Sequence, residues 1–101
     1  MRIMITARRC EVSDHLRERV RELVARLEKT APRLEGARAT FSEEHGEAVV
    51  ELRMTGRRGQ VHRASGAGPD HRTALDRAVE RMRRVVKRGP AKRRALQRQV
   101  R

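Results

Sequence analysis

A chain of 101 residues with 37% apolar side chains and one aromatic, Phe41, has room for a single domain around a modest, aliphatic core. Its 26 Lys and Arg against 13 Asp and Glu give a net charge of +13, which points to a polyanionic partner, nucleic acid ahead of an anionic membrane. A lone Cys10 excludes an intramolecular disulfide, no apolar run reaches the ~18 residues of a membrane span, and no signal peptide precedes the first periodic segment, so a soluble, cytoplasmic protein is expected.

The chain starts directly in a period-two pattern, Ile3 and Ile5 alternating with Arg2, Met4 and Thr6, which predicts a first strand from Arg2 to about Arg8 with one covered face. Ser13 then stands as an N-cap with Asp14 in the first turn. Leu16, Val20, Leu23, Val24 and Leu27 recur at helical spacing and predict a helix over about Asp14 to Lys29. Its polar side mixes Arg17, Glu18, Arg21, Glu22, Arg26, Glu28 and Lys29, with Glu22 and Arg26 an i,i+4 pair in the favourable order. Such a face is solvated and needs no ligand.

Pro32 and Gly36 punctuate the next connection, after which Ala37, Ala39 and Phe41 alternate with Arg38, Thr40 and Ser42 up to about Glu44. His45-Gly46 is a hairpin signal. The clearest strand follows, with Ala48, Val50, Leu52 and Met54 facing one way and Val49, Glu51, Arg53 and Thr55 the other. Gly56-Arg57-Arg58-Gly59 predicts a tight turn with two glycines free to take positive φ and two arginines at its tip. A fourth strand is expected over Gln60 to Ser65, broken by Gly66, Gly68 and Pro69, and Asp70 is placed to cap a second helix.

That helix, Asp70 to Arg88, sorts its residues most sharply. At ~100° per residue, Ala74, Leu75, Ala78, Val79, Met82, Val85 and Val86 fill an arc of about 140°, the width of a buried face. Arg77, Arg81, Arg84 and Arg88 occupy an adjoining arc of about 60° without an acid, while Asp76 and Glu80 lie on the other flank beside Arg83 and Lys87. A helix charged only for solubility mixes its signs as the first one does, so this cationic flank implies a partner with regularly spaced negative charge. After Gly89-Pro90 the remainder carries much of the charge. Residues 87–101 hold seven of the 26 bases and no acid, so the other nineteen bases against 13 acids leave +6 for residues 1–86. A domain over residues 1–89 and a flexible basic tail over residues 90–101 are expected. Some of the arginine surplus elsewhere is also what a GC-rich genome produces.

The order β-α-β-β-β-α predicts an α+β domain. The first two strands are parallel across a helical crossover, strands two to four form an antiparallel meander, and both helices lie side by side on one face of a four-stranded sheet, as in a double-stranded-RNA-binding domain. At this level the chain resembles the ribosome hibernation factors, the family of hibernation-promoting factor and ribosome-associated inhibitor A. The resemblance is carried by MRIMITARRCEVSDHLRERVRELVARLEK and RASGAGPDHRTALDRAVERMRR, about half the chain. It implies binding to the small ribosomal subunit and its rRNA in the messenger and transfer RNA channel, inhibition of translation in stress or stationary phase, and a second hibernation factor as a possible further partner. It also places Arg81, Arg84, Lys87 and Arg88 at basic positions of the family's second helix. The chain departs from the family pattern at Arg72, Arg83, Val85 and Thr30-Ala31, and it resembles the short form, without the domain by which long members pair ribosomes.

The candidate rRNA contacts are therefore Arg77, Arg81, Arg84, Lys87 and Arg88, then Arg57 and Arg58 at the turn, then Lys92, Arg93 and Arg94 in the tail. Arginine suits the task because its planar fork binds phosphate oxygens bidentately, and A-form RNA exposes backbone and 2′-OH groups rather than base edges. With Phe41 at a core-facing position there is no platform for base stacking. His15, His45, His62, His71 and Cys10 lack metal-ligand spacing, Gly56 to Gly59 lacks the Lys-Ser/Thr of a phosphate loop, and no activated pair is visible, so no metal, cofactor, small-molecule substrate or catalytic residue is expected. A general binder of double-stranded RNA or DNA is the alternative, and a small nuclease using His62 and His71 the third reading.

Overall fold

The computed structural model describes residues 1–31 and 33–100, and the side chains of these except Arg58 and residues 88–100. β1 (Arg2–Ala7) leads through residues 8–13 into α1 (Asp14–Thr30), which is capped as expected by the Ser13 hydroxyl accepting from the Leu16 amide at 3.1 Å. β2 (Leu34–Glu44) and β3 (Glu47–Gly56) form a hairpin across His45 and Gly46, whose φ values of 54° and 80° are those of a tight turn matched to the sheet twist. A single 3₁₀ turn, Arg57–Gly59, leads to β4 (Val61–Gly68), and α2 (His71–Val100) closes the chain. Asp70 caps α2 as predicted, its carboxylate accepting from the Thr73 amide at 2.7 Å.

The four strands lie in sequence order, β1 parallel to β2 and the rest antiparallel, so β1 and β4 are the edges. Alternation then sorts the side chains. Ile3, Ile5, Ala37, Ala39, Phe41, Ala48, Val50, Leu52 and Met54 face the helices, where they meet Val20, Leu23, Val24 and Leu27 of α1 and Ala74, Leu75, Ala78, Val79 and Met82 of α2. Phe41, Leu52, Met54, Leu75 and Met82 are fully buried, each contributing roughly 2–3 kcal/mol of apolar transfer. The opposite face of the sheet is left open.

Several boundaries differ from the sequence reading for identifiable reasons. β4 does not stop at Ser65 but continues through Gly66 to Gly68. The glycines are there because α2 packs directly on this strand: a Cβ on Gly66 would collide with the Ala74 carbonyl oxygen and stand 2.6 Å from the Ala78 amide nitrogen. Of the two turn glycines, Gly59 takes a positive φ of 73°, whereas Gly56 is extended. Val85, placed by periodicity in the buried arc, is 38% exposed. α2 runs antiparallel to β4, so Val85, one turn past Arg81, is nearing the start of that strand, where less of the sheet lies beneath it. α2 also continues beyond Arg88, where the sequence periodicity ends, and the expectation of a flexible tail concerns side chains outside the described residues.

Candidate nucleic-acid interface

The cationic flank of α2 lies along the free edge of β4. An edge strand presents unpaired carbonyls, and two arginines of α2 satisfy them. Arg77 Nη1 donates to the Ala67 carbonyl at 2.6 Å and Arg81 Nη1 donates to the Ser65 carbonyl at 2.7 Å. Four residues along the helix correspond to two along the strand, as their rises of ~1.5 and ~3.3 Å require. Both side chains stay exposed, and a carbonyl uses one of the five guanidinium donors without cancelling the charge. The two arginines are thus oriented by the fold and still electropositive. Arg84 and Lys87 follow on the same exposed helix with no ion pair among the described residues.

Arg57 is exposed in the 3₁₀ turn at the end of the sheet toward which α2 runs, which brings it to the same end of the molecule as Arg84 and Lys87. The side chains of Arg58, Arg88, Lys92, Arg93 and Arg94 lie outside the described residues.

The acids of α2 are used on its other flank. Asp76 receives a bidentate pair from Arg19 of α1, Nε to Oδ1 at 3.0 Å and Nη2 to Oδ2 at 3.1 Å, which ties the helices together. The hydrogen bond to Asp76 raises the Arg19 pKa above its usual value, against a smaller effect of desolvation. Glu80 sits 3.7 Å from Arg83 one turn on. At the helix start, the amide of Thr73 holds the Asp70 carboxyl below the usual carboxylate range. Helix α2 therefore has one flank whose acids are paired and one that carries no acid.

His62 and His71 form no common site. His71 Nε2 donates to the Ser42 carbonyl at 2.8 Å and its ring meets Phe41 edge-on at 5.6 Å, fastening the start of α2 to β2. His62 is buried on β4 opposite Met54, whereas Ser42 pairs with Val49, five residues away along β3, so the two imidazoles are separated by roughly 16 Å of strand. Cys10 is half-buried with its thiol 3.4 Å from the Phe41 carbonyl. Among the described residues no group of three or more His, Cys, Asp or Glu could hold a metal ion, and no helix is long and apolar enough to cross a membrane.

One basic group escaped the sequence reading. On the open face Arg38 pairs with Arg53, and Arg53 with Arg63, in one row across β2, β3 and β4. Half of this row was legible: from Glu44 opposite Glu47 at the His45-Gly46 turn, counting six residues each way reaches Arg38 and Arg53. The other half depends on the longer connection to β4, whose register its sequence does not declare.

Comparison with known proteins agrees with this architecture. The family model described as sigma 54 modulation protein / S30EA ribosomal protein matches residues 3–94. The N-terminal domain of Protein Y from Thermus thermophilus superposes with a TM-score of 0.75 at 30% identity, covering 87% of this chain and 98% of that one. A ribosomal subunit interface protein from Coxiella burnetii superposes with a TM-score of 0.82 at 16% identity, covering 90% of this chain and 99% of that one, a likeness of fold. Against curated protein sequences there is no significant match.

Proposed function

The chain belongs to the sigma 54 modulation protein / S30EA ribosomal protein family, and from that membership we propose that it is a ribosome hibernation factor that binds the small subunit through rRNA in the messenger and transfer RNA channel and holds translation idle under stress. The observation that carries this reading is the α2 flank, where Arg77 and Arg81 are held on the β4 edge by carbonyls and keep their charge, with Arg84 exposed beyond them and Lys87 exposed on the helix's other polar side. Guanidinium groups fixed in this way lose little side-chain entropy on meeting phosphate, and their remaining donors are free for phosphate oxygens. Arg57 adds a cation at the same end. Residues 1–89 would serve as the ribosome-binding domain, with Lys92, Arg93 and Arg94 reaching further rRNA. The action is occlusion, without a catalytic step, cofactor or metal.

Sucrose-gradient sedimentation of the protein with small subunits, with and without initiator transfer RNA, tests the proposal. Co-sedimentation that initiator transfer RNA displaces, and that Arg84→Glu with Lys87→Glu abolishes, is expected. Binding undiminished in the presence of messenger and transfer RNA would overturn occlusion. Equal affinity for arbitrary RNA duplexes and for ribosomes would make the protein a general double-stranded nucleic-acid binder instead.

A further inference from the structure

We propose that the open face of the sheet is a second RNA-binding surface, on which Arg38, Arg53 and Arg63 engage sugar–phosphate backbone while the α2 flank engages a separate stretch. The proposal rests on the reading of the protein as an rRNA binder and adds a site to it. Met4, Arg38, Arg53 and Arg63 are directly paired across all four strands. At a strand spacing of about 4.8 Å, the three arginines present a row of positive charge about 10 Å long.

Such a row is costly to the free protein. Like charges directly opposite one another in a sheet repel, and a face charged for solubility alone would alternate its signs, as the polar side of α1 does. All three side chains are exposed, and none takes part in an ion pair among the described residues. Among the described residues the one polar contact of the row is a weak one, Arg38 Nη2 to the Met4 sulfur at 3.8 Å. No acid on this side comes within ion-pair distance of the row among the described residues. Glu51 sits two residues from Arg53, opposite Thr40 and Ser65, and Glu35 lies with Arg2, Arg38 and Arg53 around an open depression of about 610 Å³.

The occupant follows from charge and from what the face lacks. Its side chains include no aromatic ring, since Phe41 points into the core, so bases have nothing to stack on and the backbone phosphates are the complementary group. The row also ends on β4, the strand whose free edge holds Arg77 and Arg81, so the basic surface turns the corner from the helix flank onto the open face. A protein charged on both sides of one edge is fitted to a cleft walled by RNA.

The test is the triple variant Arg38→Gln, Arg53→Gln, Arg63→Gln, titrated against small subunits and against protein-free small-subunit rRNA over a range of KCl. The expected result is weaker binding to both, with the slope of log K on log salt reduced by about 2–3, as loss of three phosphate contacts requires. The melting temperature should hold or rise as repulsion is relieved, and a triple Lys variant should keep the wild-type slope. Unchanged slope and affinity, alongside lost binding in the Arg84→Glu, Lys87→Glu variant, would overturn the second surface and leave the α2 reading intact. Loss on subunits but not on protein-free rRNA would assign the face to an acidic protein segment and overturn it equally. A wild-type protein that bound neither would overturn both.

Discussion

Arg19 on α1 and Arg81 on α2 are both held by side-chain hydrogen bonds, yet they have opposite electrostatic fates. Arg19 grips the Asp76 carboxylate with two donors, so the pair contributes cohesion between helices and little field outside. Arg81 grips a backbone carbonyl, which fixes its direction and leaves its charge whole. The partner's charge, not the presence of a partner, decides whether an arginine is structural or available. By that criterion the α1 side of α2 is scaffold, and the β4 side carries charge that is available to a partner.

The contrast depends first on α2 lying tight against β4. Gly66→Ala should have the largest effect, about 3 kcal/mol of stability, because its Cβ meets helix backbone that cannot rotate away. A chemical denaturation midpoint measures the loss, and a variant as stable as the wild type would mean that the contact between helix and strand is looser than described. Next come the unpaired cations. Arg84→Glu and Lys87→Glu should each weaken small-subunit binding about tenfold, roughly 1.5 kcal/mol, without moving the melting temperature. Arg21→Glu and Arg26→Glu on the mixed face of α1 provide the matched control, and equal losses from the two pairs would erase the distinction between the helices.

Arg19→Ala should do the reverse. It should lower stability by no more than about 1 kcal/mol, since both partners are partly exposed and solvent screens them, and leave ribosome binding intact. The smallest effect lies at Asp70. Its carboxyl is held below the usual value, so its cap strengthens the fold above the unfolded-state pKa and fades as pH falls through the lower native one. Asp70→Asn should therefore match the wild type at neutral pH and lose less stability on acidification, read from melting curves across the acid range.

Much of the architecture was legible because local chemistry and global packing agree. Ser13 and Asp70 marked helix starts that their side chains do cap, and the alternation in β3 named the buried row Ala48, Val50, Leu52 and Met54 without error. Gly66 and Gly68 misled because a glycine reads as a breaker in a lone sequence, while here its missing side chain admits a helix. Val85 misled because a helical wheel assigns a face but not where the sheet beneath it ends.

The sequence by itself determined the order of elements, the apolar face of each, and the segregation of arginines to one flank of α2, since all three follow from periods of 2 and 3.6 along a single element. Only the tertiary structure decided what those arginines touch. Whether Arg19 finds Asp76, whether Arg77 and Arg81 reach the β4 edge, and whether Arg63 falls in line with Arg53 and Arg38 depend on helix placement and strand register. These are set by contacts between residues far apart in the chain, which no local pattern encodes.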